Sequence, residues 1–341
     1  MVRRITVVEE ASELLKRQQG GSEEMQHPLD QTKFNRAAIV LAGGDGNRAL
    51  RQNEHTIWPS VASQFCTPTS DKGTVEETVR SISRLASPRD TVVVVNQAHG
   101  EFYDRIAQHD PSIVVQPFNR GSVPAILYGL RRLAHLGRNT VVVVFPCDDF
   151  FAFESHERFI RHIEEAIAAV EASPFLSVVL GTVPRTSESA LGWIEPGESA
   201  CPADPSIFHV RSYWRSPPVD LAIKLIRKGW LWNSLTIVAR APRLQEMIAE
   251  CLPELYVAFN TAFAPLKNYG ERIAIENFYR NIGTYRFSEQ ILARCPPDLA
   301  VKRIDSAELD NIISQETPDR RCAGFAHYGP TPVVPMHFRA K

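Results

Sequence analysis

Residues 37–48 read AAIVLAGGDGNR, a short apolar run followed by three glycines and an arginine. An uninterrupted apolar run of this length is typical of a strand that is buried on both faces of a parallel sheet. Comparable runs predict further strands at residues 91–96, 113–116, 140–146, 176–183 and 235–239. The opening stretch is thus the first of a series of buried strands.

Helical patterns separate these runs. Apolar residues recur at steps of three and four between residues 75 and 85, between 126 and 136, and between 159 and 170. Strands that alternate with helices on this scale indicate βαβ units. The sequence therefore predicts an α/β fold with a Rossmann-like, mainly parallel mixed sheet and helices on both faces.

Composition excludes several classes of partner. The 341 residues contain 38 Lys and Arg against 39 Asp and Glu, which is not the basic excess of a nucleic-acid binder. No apolar run approaches about 18 residues, so no membrane partner is expected. The six cysteines show no CxxC spacing, and the N-terminus lacks the pattern of a signal peptide. We expect a cytoplasmic protein with reduced thiols; the oligomeric state, a homo-oligomer included, stays open.

The glycine loop after the first strand is the strongest candidate for chemistry. Gly43, Gly44 and Gly46 would leave backbone amides uncovered by side chains, so that they can bind phosphate oxygens, and Arg48 would add a charged fork. The spacing matches neither GxGxxG nor GxxxxGK[ST]. A tight strand-to-helix turn is the alternative interpretation.

A second candidate follows the strand at residues 140–146. Asp148 and Asp149 come directly after this strand and Cys147, at the edge where open α/β sheets bind ligands. A hard cation such as Mg²⁺ prefers one or two carboxylates together with substrate phosphates. The alternative is that these acids start a turn or cap the next helix, and that Cys147 is a packing residue.

The order of the motifs resembles that of the sugar-1-phosphate nucleotidyltransferases, and most of all the mannose-1-phosphate guanylyltransferases (GDP-mannose pyrophosphorylases). LAGGDGNR at 41–48 is similar to the family's LAGGxGTRL, Gln64-Phe65 to PKQF, QPFNRGSVPAI at 116–126 to EPxxRNTAPAI, and FPCD at 145–148 to PxDH. Further segments with counterparts in the family are ESALGWIEP at 188–196, YWRSP at 213–217 and GWLWNS at 229–234. The resemblance covers roughly residues 37–300.

The resemblance implies a reaction and a set of residues. A sugar 1-phosphate would attack the α-phosphorus of a nucleoside triphosphate, GTP and mannose 1-phosphate being the first choices. The implied catalytic residues are Arg48 and Asp148, with Mg²⁺ on Asp148 and on Asp310, for which Asp305 is the alternative. The implied nucleotide-binding residues are Leu41, Ala42, Gly43, Gly44, Gly46, Gln64, Arg120 and Ser122, and the implied sugar-binding residues are Glu188, Gly192, Arg215 and Asn233.

Departures from the family pattern keep a second function open. Ser63 and Ser216 stand where the family has lysines, and Arg215 where it has glutamate. Arg120-Gly121-Ser122 replaces RNT, Asp149 replaces the histidine of PxDH, and Asn47 replaces the threonine of the glycine loop. Arg51, Arg120 and Arg215 are candidates to supply the lost charge. The alternative is a catalytically impaired nucleotide- or nucleotide-sugar-binding homologue with a regulatory role.

The predicted organisation has three parts. Residues 1–36 form a polar N-terminal extension outside the core, and residues 322–341 form an irregular tail with a Gly-Pro-Thr-Pro stretch at 329–332. Residues 37–321 form the nucleotidyltransferase-like domain, with a nucleotide half over 37–175 and a sugar half over 176–321. Residues 196–205 are predicted to be a loop.

Overall fold

A computed structural model of the chain describes residues 13–14, 34–44, 74–147, 156–184, 186–187, 192–263 and 271–305. The strands of these residues are β1 Asn35–Leu41, β2 Thr91–Asn96, β3 Ser112–Gln116, β4 Thr140–Pro146, β5 Ser177–Thr182, β6 Gly192–Ser199, β7 Ile207–Arg215, β8 Leu231–Arg240 and β9 Leu299–Ile304. The α-helices are α1 Thr74–Ile82, α2 Tyr103–Ala107, α3 Ser122–Arg132, α4 His156–Ala172, α5 Val219–Arg227, α6 Ala241–Cys251, α7 Pro253–Ala262, α8 Glu271–Asn281 and α9 Phe287–Gln290. Short 3₁₀ helices cover Pro88–Asp90, Gln97–Phe102, Ala134–Leu136 and Leu292–Arg294.

One mixed sheet holds these strands together. Its order is β3-β2-β1-β4-β8-β5-β9-β7-β6, with an additional pairing between β8 and β6. The pairs among β3, β2, β1 and β4 are parallel, as is β5 with β9, whereas β8, β6 and β7 pair antiparallel with their neighbours. The prediction of a mainly parallel sheet therefore holds for the first four strands and is wrong for the second part, where β8 enters between β4 and β5.

Side chains of β1 explain why its run is continuously apolar. Ala37 and Ile39 point into one core cluster, while Ala38 and Val40 point into another on the opposite face. Helices α3, α6, α7 and α8 cover the first face, and α1 and α4 cover the second. Because both faces are dry, every position of the strand needs an apolar residue. The prediction of helices on both faces is confirmed.

Two boundaries in the structure differ from those predicted from the sequence. The strand β6 runs to Ser199, so the first four residues of the predicted 196–205 loop are strand. Pro196 lies at a shift in the β6–β7 register, where a missing N–H donor is tolerated. The strand β1 begins at Asn35, and Leu14 packs against the first core cluster, so the segment 1–36 is not wholly outside the core. Residues 322–341 lie outside the described ranges.

A buried ion-pair cluster fixes β9 in the sheet. Lys302 is 2% exposed, and its Nζ lies 2.5 Å from Asp204 Oδ2, 3.0 Å from Glu165 Oε2 and 2.8 Å from Ser206 Oγ. Burial alone would raise the pKa of Asp204 and Glu165, but the hydrogen bonds and charge of Lys302 bring each pKa below its ordinary value. The cluster joins α4, β9 and the turn before β7.

The first prediction concerns this cluster. Lys302→Met keeps the side-chain volume but removes the cation shared by Glu165 and Asp204, whose side chains are 44% and 21% exposed, so the free energy of unfolding should fall by about 1–2 kcal/mol near pH 7. Because both carboxyl pKa values are lowered by folding, the stabilisation is present above their ordinary values of 3.8 and 4.5 and is lost as the pH falls below them. Urea unfolding at several pH values should show this difference shrinking in acid.

Arg303→Met is the matched control, because Arg303 is the exposed neighbour on the same strand. Its cost should stay within about 0.5 kcal/mol, as for other exposed substitutions. Equal losses for the two variants, or a Lys302→Met loss that does not change with pH, would contradict a stabilising ion-pair cluster.

Candidate functional site at the carboxyl edge of the sheet

The glycine loop starts between two parallel neighbours of β1. The backbone N–H of Ala42 donates to the carbonyl of Val94 on β2 at 2.8 Å, and the N–H of Cys147 donates to the carbonyl of Leu41 at 3.2 Å. Leu41 is paired with Pro146 at the end of β4. The predicted phosphate-binding start of the loop and the chain that leads to Asp148 therefore leave the sheet side by side.

Gln116 lies against Gly43, the first glycine of this loop. Its side chain is 2% exposed, and a Cβ at Gly43 would overlap its Nε2 atom, so glycine at position 43 leaves room for the glutamine. The Oε1 atom is buried and has no hydrogen-bond partner among the described residues. A buried acceptor without a partner is costly, and such atoms often serve a ligand. In the sequence, Gln116 stands out only as the first residue of a motif.

The loop at residues 119–122 is tied to a distant segment. The N–H of Tyr285 donates to the carbonyl of Arg120 at 2.8 Å, and the N–H of Val123 donates to the carbonyl of Tyr285 at 3.1 Å. Arg120 Nε donates to the carbonyl of Tyr279 at 2.8 Å, and Ser122 Oγ accepts from the N–H of Phe287 at 2.9 Å. The two predicted nucleotide-binding side chains thus also hold residues 279–287 in place.

Gly121 makes this close approach feasible. Its φ of +86° lies in the region that favours glycine, and a Cβ there would overlap the carbonyl oxygen of Tyr285 and lie 2.7 Å from its carbon. The Gly121 N–H donates to Asn119 Oδ1 at 3.0 Å, which closes the turn before α3. The departure from RNT in the sequence therefore has a local structural reason.

Three of the predicted sugar-binding residues come together. Gly192 on β6 is paired with Arg215 at the end of β7. The pairing of Trp193 with Trp232 then brings Gly192 beside Asn233 on β8. The short helix α9 contacts two of the three residues, because Ser288 accepts from Asn233 Nδ2 at 2.9 Å and Glu289 Oε1 lies 2.7 Å from Arg215 Nη1.

Asn233 is held at both ends of its amide. While Nδ2 donates to Ser288, Oδ1 accepts from the N–H of Leu235 at 2.9 Å. Each amide end can make two hydrogen bonds, so one N–H and one lone pair are left in a fixed orientation after these two contacts. An oriented amide of this kind suits recognition of a hydroxyl group, which both donates and accepts.

The segment 285–290 is the part of the site that the sequence analysis missed. Its residues bind the 120–123 loop through Tyr285 and Phe287, and Asn233 and Arg215 through Ser288 and Glu289. No sequence motif marks this segment, and its partners Ser122 and Asn233 lie 165 and 55 residues away along the chain.

The remaining predicted residues lie outside the described residues: Gly46, Arg48, Gln64, Asp148, Glu188 and Asp310, as do Arg51, Ser63 and Asp149. Within the described ranges, no three His, Cys, Asp or Glu side chains converge as a metal site. Cys147 is buried in the core, and Trp230 and Trp232 are buried as well. The packing interpretation of Cys147 fits this burial.

The described residues form an α/β fold in which helices cover both faces of one mixed sheet. Solved structures with this fold include one from Thermus thermophilus that is described as a mannose-1-phosphate geranyltransferase, with a TM-score of 0.66 and 20% identity over 79% of this chain and 74% of that chain. Another is described as a mannose-6-phosphate isomerase from Helicobacter pylori, with a TM-score of 0.60 and 15% identity over 79% of this chain and 97% of that chain.

Curated proteins are also similar to this chain in sequence. Mannose-1-phosphate guanylyltransferase 2 of Escherichia coli O157:H7 is 23% identical over 76% of this chain and 52% of its own length. The alginate biosynthesis protein AlgA of Pseudomonas fluorescens is 24% identical over 64% of this chain and 44% of its own length. The resemblance to mannose-1-phosphate guanylyltransferases is confirmed by these relatives, of whose length the chain spans about half. No family model matches the chain.

Among the described residues, no helix is long and apolar enough to cross a membrane.

The second prediction tests the contact between Gly121 and Tyr285. Gly121→Ala must place a methyl group against the Tyr285 carbonyl in a backbone conformation that already disfavours alanine. Gly137→Ala is the matched control, because Gly137 has a similar φ of +78° and nothing within 4 Å of an added Cβ. Both glycines combine a positive φ with a ψ near 180°, a region almost restricted to glycine, so the control should cost about 1–3 kcal/mol from backbone strain alone.

Gly121→Ala should cost at least about 2 kcal/mol more than the control, because residues 120–123 or Tyr285 must move. Chemical unfolding of both variants gives this difference directly. If both variants lose the same stability, the approach of the two segments does not constrain the site.

Proposed function

We propose that this chain transfers a nucleotidyl group from a nucleoside triphosphate to a hexose 1-phosphate. GTP and mannose 1-phosphate are the first choices, in keeping with the names of the curated relatives. An oxygen of the sugar 1-phosphate attacks the α-phosphorus, the bond from that phosphorus to the bridging oxygen breaks, and pyrophosphate leaves. Such a reaction depends on positioning and charge neutralisation more than on covalent catalysis.

One observation carries the proposal. The segment 285–290 connects the loop of the nucleotide motif to the residues of the sugar motifs, so two sets of motifs far apart in the chain meet at one site. A protein that joins a nucleotide to a sugar phosphate needs this juxtaposition. We assign Leu41, Ala42, Gly43 and Gly44 to the triphosphate, and Gly192 and Asn233 to the sugar hydroxyls. The division into a Rossmann-like nucleotide half and a sugar half belongs to the same proposal.

A divalent cation is the expected cofactor. The chain that leaves β4 is hydrogen-bonded to the start of the glycine loop, and carboxylates that follow such a strand are suitable ligands for Mg²⁺. We propose that Asp148 and Asp310 hold this ion, which when bound would neutralise phosphate charge. Arg48 and Gly46, with Gln64, would bind the nucleotide, and Glu188 the sugar.

The third prediction tests the reaction itself. Pyrophosphate release by the purified chain, measured with Mg²⁺ across a panel of triphosphates and sugar 1-phosphates, should be highest for one combination and absent without the sugar 1-phosphate. Asp148→Asn should reduce this rate by about a hundredfold or more, as expected for removing a charge that stabilises the transition state. The neighbouring Asp149→Asn should leave the rate close to that of the wild type.

Two results would contradict this assignment. Loss of turnover in Asp149→Asn with retention of turnover in Asp148→Asn would show that the alignment with the family motif is wrong by one residue. A chain that binds nucleotide but releases no pyrophosphate with any pair would instead be the regulatory binding homologue that Ser63 and Ser216 suggest.

The fourth prediction concerns Gln116. We propose that its buried Oε1 accepts a hydrogen bond from the bound nucleotide. Gln116→Met keeps the shape of the side chain and removes the unpartnered acceptor, so the free energy of unfolding should stay the same or rise. The affinity for the nucleoside triphosphate should fall about tenfold, the effect of losing one net hydrogen bond of about 1.4 kcal/mol.

Calorimetric titration with nucleotide and urea unfolding give the two quantities. Gln108→Met, at an exposed position after α2, is the control and should change neither. A large loss of stability in Gln116→Met with unchanged nucleotide affinity would make Gln116 a structural residue.

A further inference from the structure

Three charged side chains meet beside the sugar motifs. Glu289 Oε1 lies 2.7 Å from Arg215 Nη1 and 3.3 Å from Arg286 Nη1. The carboxylate is 24% exposed, while the two arginine side chains are 57% and 54% exposed. Two cations and one anion give this Arg215–Arg286–Glu289 cluster a net charge of +1.

Both arginines keep most of their hydrogen-bonding capacity. A guanidinium carries five N–H donors, and the shared carboxylate can occupy only some of them on each arginine. Glu289 therefore limits the movement of two cations without neutralising them both. Two oriented and solvent-accessible guanidinium groups are well suited to bind a phosphomonoester, which carries nearly two negative charges and accepts bidentate hydrogen bonds.

The Arg215–Arg286–Glu289 cluster also lies next to residues of both sets of motifs. Within α9, Ser288 contacts Asn233 and Phe287 contacts Ser122, so Glu289 lies on the element that connects the two sets of motifs. Arg215 is paired with Gly192 across β6 and β7. The next residue is Ser216, which stands where the resemblance places a lysine.

We infer that Arg215 and Arg286, held by Glu289, bind the phosphate of the sugar 1-phosphate. The inference rests on the proposed function, which it deepens by assigning this anion site. Arg286 supplies a cation that no motif in the sequence indicates, and it replaces the charge that Ser216 lacks. Glu289 acts as a positioning residue for both arginines.

The experiment uses the full chain with Arg286→Gln and Arg286→Lys. If the cluster binds the phosphate, Arg286→Gln should raise the KM for the sugar 1-phosphate at least about tenfold, the scale of one charge-assisted contact, while the KM for the triphosphate stays within about twofold. Arg286→Lys should recover part of the loss, because it restores the charge without the fork.

Arg36→Gln is the matched control. Arg36 also pairs with a carboxylate that is 24% exposed, Glu171, but lies at the amino end of β1, on the opposite edge of the sheet. Its substitution removes a comparable ion pair and should leave both KM values unchanged. Equal effects on both substrates in Arg286→Gln, or an equal effect in Arg36→Gln, would overturn the assignment.

A second measurement separates this inference from the proposed function. Calorimetric titration at saturating triphosphate gives the affinities for mannose 1-phosphate and for mannose. Mg²⁺ is left out to prevent turnover, so the difference between the two affinities measures the phosphate contact. The wild type should prefer the phosphorylated sugar, and Arg286→Gln should lose at least about tenfold of that preference. Absence of pyrophosphate release refutes the proposed function, whereas an unchanged preference in Arg286→Gln refutes the phosphate site.

Discussion

The candidate site depends on the contact between the backbone of residues 120–123 and Tyr285. Two hydrogen bonds and a glycine at φ +86° bring the two segments so close that a side chain at position 121 has no room. Without this contact the segment 285–290 would be held to the 120–123 loop only by the hydrogen bond from Phe287 to Ser122 and by the packing of Phe287 in the core. Since α9 also holds Asn233 and Arg215, one local backbone constraint determines the distance between the two sets of motifs.

The buried strands could be predicted because their signal is local. A strand covered by helices on both faces must be apolar at every position, so β1, β2, β4 and β5 are visible as runs, and the helices α1, α3 and α4 as periodic patterns between them. The antiparallel entry of β8 between β4 and β5 leaves no such trace, because a central strand has the same composition in either direction. Composition therefore reveals β5 and β8 of the second part but not their relative directions.

Polar residues explain why the rest of the sheet was not predicted from the sequence. Lys302 interrupts the apolar pattern of β9, and its burial is stable only because Glu165 and Asp204, each more than 95 residues earlier, bring their carboxylates to it. The same reason hid the segment 285–290, whose Arg286, Ser288 and Glu289 look like an ordinary exposed turn in the sequence. Their significance comes from partners in β7 and β8, which only the folded chain brings near.

Replacement of the family's lysines changes how positive charge is distributed at the site more than how much positive charge is present. A lysine brings one mobile point charge, whereas two arginines that share a carboxylate bring planar groups whose direction is fixed. Glu289 lowers the net charge of the cluster but also lowers the entropy that the arginines lose on binding a phosphate. Serine at position 216 therefore does not by itself imply an inactive site, because the proposed cations are Arg215, which directly precedes it at the end of β7, and Arg286, which precedes α9.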